Sequence, residues 1–182
     1  SHISAILARR MGLSEKFCED LLVAAPMHDV GKIGIPDSIL QKPGKLNEEE
    51  WEIMKTHAAI GGRILAGSND PILQLSAEVA LAHHEKWDGS GYPEGLSGEN
   101  IPLSGRIVAL ADVFDALCSK RCYKEAMTLD QVTSIIQAGR GAHFQPEVVD
   151  RLFDDLDEIL ELYELFKNDD PDEFKILTDL AM

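Results

Sequence analysis

The sequence holds few cysteines, few positive charges and no long apolar run. Its three cysteines, Cys18, Cys118 and Cys122, form an odd set without the spacing of a disulfide framework, which favours a reducing cytoplasm. No segment approaches the ~18 apolar residues of a membrane-spanning helix, and no signal-peptide pattern opens the sequence. We therefore expect a cytoplasmic location and no membrane span in this chain.

Positive charge is scarce, because 17 Lys and Arg face 32 Asp and Glu and leave a net charge of −15. This charge argues against nucleic-acid polymers and anionic membranes as partners. The acids are concentrated at the C-terminal end, where residues 151–182 carry 11 acids and three bases. An acidic protein can still bind a phosphate ligand if bound cations reverse the local potential.

Apolar residues recur at intervals of three and four along most of the 182 residues, and no alternating run of strand length occurs. The prediction is an all-α fold, and the length is that of one domain. The signals that mark predicted helix ends are a terminal glycine (Gly12), capping side chains (Ser14, Asn47, Thr128) and prolines at first helical positions (Pro71, Pro146).

Histidines continue the apolar stripes of two predicted helices. His28 follows Leu21 and Ala25 on one stripe, and His83 follows Val79 on another. An imidazole on a core-facing stripe needs a partner, because an unpaired buried polar group costs several kcal/mol. Imidazole is also the commonest protein ligand for metals. The acid that directly follows His28 and the second histidine that follows His83 make metal ligation a serious alternative to packing.

Two further segments add ligand-type side chains. His57 lies beside the predicted buried face of its helix, and taken alone it fits a structural role. Asp112 and Asp115 lie three apart on a helix that is apolar nearly all round, so both are expected to be enclosed. The predicted buried face of the His57 helix consists of Trp51, Met54, Ala58, Gly61 and Leu65.

These side chains exceed the needs of one tetrahedral zinc ion and fit two ions bridged by a carboxylate such as Asp29. Histidine and aspartate without cysteine favour iron or manganese, with zinc left open. Two ions ~3.5–4 Å apart hold a bridging hydroxide and stabilise attack and departure at phosphorus. Lys32 lies one turn beyond His28 and is placed to neutralise charge on a phosphoryl oxygen. The inward-facing set is His28, Asp29, His57, His83, His84 and Asp112.

Two segments resemble signatures of a known family. Residues 27–32 read MHDVGK, which matches the HD signature, and residues 83–93 read HHEKWDGSGYP, which matches the extended GYP signature. The chain resembles HD-GYP domains over residues 1 to about 150. The resemblance implies an HD-domain helical bundle whose multi-helix core encloses a multi-metal site. It also implies a phosphodiesterase that opens cyclic di-GMP to linear pGpG and sometimes onward to GMP.

The resemblance assigns roles residue by residue. It implies the same six metal ligands, His28, Asp29, His57, His83, His84 and Asp112, for two or three divalent ions. Iron or manganese is favoured, with zinc, magnesium and nickel as alternatives. Asp29 and Lys32 are the expected catalytic residues. The residues expected to contact the substrate are Lys32 at the scissile phosphate, Tyr92 in the ligand-side loop, and Asp115, Arg121 and Lys124 at guanine and phosphate groups.

The family pattern is not matched throughout. Its first HD histidine, and a glutamate in members with three metals, are expected upstream of Ser1, so the number of metals stays open. Cys122 stands where proline is usual, and Gln145 replaces the usual acid before Pro146. Residues 1–150 are expected to be the catalytic core, with a truncated N-terminal helix, and residues 151–182 an acidic helical extension of it.

The resemblance also bears on partners and on alternatives. It implies a sensory or receiver domain upstream in the full-length protein, and it leaves the oligomeric state open, with a homodimer as one option. Two other functions fit the sequence. In the first, the chain is a receptor that binds cyclic di-GMP without hydrolysing it. In the second, it is an HD phosphohydrolase that acts on another nucleotide or cyclic nucleotide.

Overall fold

The computed structural model describes residues 1–119 and 127–167, and these ranges fold into helices without a strand. A 3-10 helix spans Ala25–Gly34, and a single 3-10 turn spans Gly98–Asn100. The all-α prediction is confirmed. The α-helices of the described residues are α1 (His2–Arg10), α2 (Glu15–Ala24), α3 (Asp37–Leu40), α4 (Glu48–Leu65), α5 (Pro71–Ala82), α6 (Leu103–Cys118), α7 (Leu129–Gly139), α8 (Pro146–Asp154) and α9 (Leu156–Lys167).

Helix ends follow the predicted local signals. The Ser14 hydroxyl accepts a hydrogen bond from the backbone N–H of Phe17 at 3.2 Å and caps α2. Gly12 has a φ of +77°, in the left-handed region, just beyond α1. Asn47 and Glu50 cap α4 reciprocally through their side chains and backbone N–H groups. None of these ends depends on tertiary packing, which is why the sequence alone locates them.

Replacing Asn47 by alanine tests the strength of the α4 cap. The Asn47 side chain accepts from the Glu50 N–H at 2.8 Å, and the Glu50 carboxylate accepts from the Asn47 N–H at 2.8 Å. We expect Asn47→Ala to lower the free energy of unfolding by about 1 kcal/mol, measured by urea denaturation. Asn100→Ala, at an exposed asparagine outside α4, is the control. Equal losses in the two variants would contradict the cap.

The largest apolar core joins the N- and C-terminal helices to α6. No described helix combines the length and the apolarity needed to cross a lipid bilayer. A smaller apolar cluster of Leu65, Ala77 and Ala80 joins α4 to α5. The 3-10 helix packs against these two helices, and its first residue, Ala25, belongs to the large core. The fully buried side chains of the large core include Leu7, Leu21, Ile107, Leu110, Phe114, Ile136 and Leu152.

Two segments differ from the predicted regular helix. The stripe of α2 continues to His28, but residues 25–34 form a 3-10 helix instead of an α-helix. Pro26 has no N–H to donate to a carbonyl four residues earlier, which favours the tighter turn. The expected helical extension after residue 150 does not continue α8 without a break, because the helix is interrupted at Asp155 between α8 and α9.

Two predicted burials are wrong. Trp51 is 46% exposed, because burial along α4 begins only at His57 and the first turn lies outside the packed region. Asp115 is exposed while Asp112 is half-buried. Phe114 takes the core-facing position in the last turn of α6, and its neighbour Asp115 turns about 100° away from it.

Candidate metal centre

Four ligand-type side chains converge between the 3-10 helix, α4 and the end of α5. The ligand atoms of Asp29, His57, His83 and His84 all lie within 4.8 Å of one another. Nε2 of His57 lies 3.4 Å from Oδ1 of Asp29 and 3.4 Å from Nε2 of His83. Nε2 of His83 lies 3.9 Å from the same carboxylate oxygen. One carboxylate oxygen and two imidazole nitrogens thus face a common point.

The imidazoles are held in one orientation by the backbone. A carbonyl only accepts hydrogen bonds, so each ring in its neutral form carries its proton on Nδ1 and leaves a lone pair on Nε2. Fixing one ring nitrogen through an outer partner is the usual support of a metal-binding histidine. The hydrogen bonds donated by Nδ1 run from His28 to the Ala25 carbonyl (2.8 Å), from His57 to the Met54 carbonyl (2.7 Å) and from His83 to the Ala80 carbonyl (2.9 Å).

Asp29 supplies the clearest sign that a cation fits here. Its Oδ1 is buried and has no hydrogen-bond partner, although it faces lone pairs on His57 and His83. Oδ2 accepts from Lys32 and lies 3.3 Å from Nε2 of His28. A buried oxygen without a donor is costly. A divalent cation would satisfy the oxygen and both nitrogens together, and the oxygen–nitrogen donor set suits a transition metal.

The protonation states of Asp29, His83 and His84 at neutral pH suit metal binding. Burial, reinforced by the neighbouring imidazoles, lowers the pKa of His83 to about 3 and that of His84 to about 2. Burial opposes the charged form of Asp29, but its contacts with His28 and Lys32 outweigh burial and lower its pKa. His28 is buried as well, yet Asp29 outweighs that effect and raises the His28 pKa. Neutral imidazoles and an ionised carboxylate are the forms that bind metals.

His28 and Asp112 extend the cluster on one side. Nε2 of His28 lies 3.7 Å from Oδ1 of Asp112, on α6, and its ring contacts the edge of the His83 ring at 5.0 Å between centroids. Asp112 therefore reaches the cluster through His28. The six side chains predicted as ligands thus form one contiguous group, with Asp29 in contact with both halves.

The residues predicted to contact substrate lie at different places. Tyr92 stacks on the His84 ring at 4.7 Å between centroids, with 29° between the planes. Lys32 pairs with Asp29 at the edge of the cluster. Asp115 is exposed on α6, outside the group of converging ligand atoms. Arg121 and Lys124, together with Cys122, lie outside the described residues.

The motif also contains a residue to which the sequence interpretation gave no role. Glu85 follows the two histidines directly and is only 2% exposed. Its carboxylate accepts from the backbone N–H groups of Glu94 and Leu96, at 2.8 and 2.9 Å. An acid in a glycine-rich loop belongs to no helical stripe, so periodicity gives no sign of its burial. Its place directly after the two histidines was the one available signal.

A glycine lets the 3-10 helix approach α4 closely enough for the ligand-type side chains to meet. A Cβ added at Gly31 would lie 2.0 Å from the His57 carbonyl oxygen and 2.4 Å from the Gly61 nitrogen. Asp29 lies two residues before this contact, and His57 belongs to it. The distance between these two ligands therefore depends on a backbone contact that no side chain larger than hydrogen permits.

Comparison with known proteins gives several close sequence relatives. The chain is 52% identical over 168 residues to a cyclic di-GMP phosphodiesterase of Thermotoga maritima, covering 92% of this chain and 46% of that protein. It is 54% identical over 152 residues to the cyclic di-GMP phosphodiesterase response regulator RpfG of Xanthomonas campestris, covering 84% and 40%. It is 50% identical over 154 residues to the 3'3'-cGAMP-specific phosphodiesterase 2 of Vibrio cholerae, covering 85% and 30%. The chain thus spans less than half the length of these relatives.

A solved structure and a family model agree with the fold. The crystal structure of a cyclic GMP-AMP-specific phosphodiesterase of Vibrio cholerae is similar over 98% of this chain and 47% of its own, with a TM-score of 0.66 and 21% identity. That likeness concerns the fold. The model of the HD domain family matches residues 1–148, which include every ligand-type residue of the cluster. The resemblance predicted from the two motifs is confirmed, and the chain belongs to the HD domain family.

Proposed function

We propose that the chain is a metal-dependent phosphodiesterase that hydrolyses cyclic di-GMP to linear pGpG, with cleavage onward to GMP as a further step. The observation that carries the proposal is the convergence of Asp29, His57, His83 and His84 around a buried carboxylate oxygen that lacks a donor. The relatives at 52% and 54% identity are named for cyclic di-GMP hydrolysis, which supports the same substrate.

The proposed cofactors are two or three divalent ions, with iron or manganese favoured over zinc, magnesium and nickel. Divalent ions, when bound, supply Lewis acidity and lower the pKa of water so that it attacks phosphorus at neutral pH. The proposal is supported by the Nε2 atoms of His57 and His83, which face Oδ1 of Asp29, and by Nε2 of His28, which lies 3.3 Å from Oδ2. The residues proposed to hold them are His28, Asp29, His57, His83, His84 and Asp112.

Cationic side chains explain how an acidic chain would attract a dianionic substrate. The Lys32 ammonium lies at the edge of the cluster and is proposed to neutralise charge on a phosphoryl oxygen. Nζ of Lys55 lies 5.9 Å from the centre of the Tyr92 ring and adds positive charge beside that ring. Arg121 and Lys124 stay predictions for substrate contacts, as does Asp115.

The proposal is tested by reconstituting the protein anaerobically with Fe(II) or Mn(II) and supplying cyclic di-GMP. We expect linear pGpG, identified by chromatography, and a loss of turnover after chelation that the metal restores. Single-turnover assays with 3'3'-cGAMP address a second candidate, which the 50% identical relative named for that substrate favours. Tight binding of cyclic di-GMP without product in the metal-loaded protein would refute hydrolysis and support a receptor.

The full-length protein is proposed to carry further parts of this assembly. The relatives are more than twice as long as the matched region. An upstream segment with the first HD histidine, and a glutamate if three metals bind, would complete the ligand set. A sensory or receiver domain, a homodimer and a cytoplasmic location stay predictions, as does the division between residues 1–150 and 151–182. Metal stoichiometry of a longer chain tests the ligand set directly.

A further inference from the structure

The loop between α5 and the 3-10 turn at Gly98–Asn100 is fastened at two places by backbone hydrogen bonds. On one side, the N–H groups of Trp87 and Asp88 donate to the carbonyls of His143 and Ala142, at 3.0 and 2.9 Å. On the other side, the Tyr92 N–H donates to the His84 carbonyl at 3.2 Å. The path of the loop therefore places the Tyr92 ring over the His84 imidazole.

The loop backbone next to Tyr92 packs so closely against residues 84–86 that Gly91 has no room for a side chain. A Cβ added at Gly91 would lie 2.4 Å from the Lys86 nitrogen and 2.6 Å from the His84 carbonyl oxygen. The loop thus lies flat on residues 84–86. The segment that follows Tyr92 is tied back at its far end, where the Gly98 N–H donates to the Trp87 carbonyl at 2.9 Å.

Glu85 holds that segment. Its carboxylate is buried and accepts from the N–H groups of Glu94 and Leu96, one to each oxygen. Hydrogen bonds to an ionised acceptor are about twice as strong as neutral ones. Tyr92 is thereby held from both directions, by the His84 carbonyl before it and by Glu85 after it.

We propose that Glu85 is a positioning residue that fixes Tyr92 over the metal ligand His84 and so shapes the substrate side of the site. The inference rests on the proposed function, because it assigns Glu85 to substrate binding. Glu85 does not face the converging ligand atoms, so its loss should leave metal binding intact. Its effect should therefore fall on KM more than on kcat.

Glu85→Gln tests this with little change of shape. The amide keeps one acceptor oxygen but turns an N–H₂ group toward a backbone N–H, so one of the two hydrogen bonds is lost. In the metal-loaded protein we expect KM for cyclic di-GMP to rise between about 10- and 100-fold, the usual range for supporting residues. Metal content and kcat should change much less.

Two controls separate positioning from a general loss of stability. Glu94→Gln removes an exposed carboxylate from the same loop and should leave KM unchanged. In a double-mutant cycle, Glu85→Gln should have little further effect on KM in a Tyr92→Ala background, because Glu85 acts through Tyr92. Additive effects would overturn the proposal, and so would a loss of metal in Glu85→Gln.

Fluorescence gives a readout that does not depend on turnover. The chain holds two tryptophans, and both adjoin this loop: Trp87 lies within it, and Trp51 meets the Tyr92 ring edge-on at 6.3 Å. Acrylamide should quench Glu85→Gln more strongly than the wild type or Glu94→Gln. Equal quenching would contradict a role in holding the loop.

The proposed function and the proposed role of Glu85 are refuted by different results. If the wild type does not cleave cyclic di-GMP, the proposed function fails while the quenching comparison still decides the role of Glu85. If Glu85→Gln does not fold, Glu85→Asp keeps the buried charge, but its side chain is one methylene shorter and cannot reach both N–H groups. The same rise in KM and in quenching is expected for that variant, and wild-type values for both would refute the proposal.

Discussion

Asp29→Asn is expected to reduce kcat/KM for cyclic di-GMP by more than about 100-fold, because changes even to outer partners of metal ligands cost 10- to 100-fold. Asp29 meets both halves of the cluster, with Oδ1 facing His57 and His83 and Oδ2 near His28. Asparagine keeps the shape but removes the charge and one ligand oxygen. Metal content after reconstitution with Mn(II), measured by mass spectrometry, should fall in parallel with turnover.

The same variant makes a separate prediction for the metal-free protein. The side-chain N–H₂ group that Asp29→Asn introduces can donate to a lone pair on His57 or His83, where the carboxylate oxygen has no donor. Asparagine also loses the charge contacts of Asp29 with His28 and Lys32, which stabilise the fold at neutral pH. These two effects oppose each other, so we expect the unfolding temperature without metal to change little. Asp20→Asn is the matched control, because Asp20 is also partly buried and paired with a lysine, Lys16. Wild-type metal content in Asp29→Asn would contradict the proposal that Asp29 binds metal.

Gly31→Ala is expected to destabilise the fold and to empty the metal site together. The added methyl group would overlap the His57 carbonyl oxygen and the Gly61 backbone, neither of which is a flexible side chain. The 3-10 helix must move off α4, which costs at least about 1–3 kcal/mol. That movement separates Asp29 from His57. Urea denaturation and metal content of the same preparation measure the two effects.

Gly67→Ala controls for the loss of glycine flexibility. A Cβ at Gly67 would meet nothing within 4 Å, and the residue is exposed just beyond α4. This variant should match the wild type within about 0.5 kcal/mol, as surface substitutions usually do. If Gly31→Ala bound metal normally, the close contact would have no part in forming the site.

Helical periodicity predicted the inward orientation of the ligand-type side chains that regular helices carry. His83 continues the stripe of Val79 at the end of α5, and His57 is the first buried residue along α4. His57 and His83 are far apart in sequence, and we expected them to lie together because each was predicted on or beside the core-facing side of its helix. The capping residues were predictable for a different reason, since their hydrogen bonds are local.

The rest depended on geometry that a sequence pattern does not contain. The 3-10 turns of residues 25–34 set where Asp29 points, and they arise from Pro26 and from the contact at Gly31. Trp51 was assigned to the core by its spacing, although the first turn of α4 extends beyond its neighbours. Glu85 lies outside any helix, so helical periodicity gives no sign that it is buried. The family resemblance supplied the substrate, which neither spacing nor burial identifies.

The protonation states of the imidazoles decide how strongly protons compete with a metal ion for these side chains. A ligand that is already neutral gives up no proton when a metal binds, so its share of the affinity does not vary with pH. His83 and His84, with pKa values of about 3 and 2, meet this condition throughout the physiological range. His28, whose pKa is raised by Asp29, does not. For the proposed metal centre, we therefore expect acidification to release metal first on the His28 and Asp112 side, measured as metal content against pH.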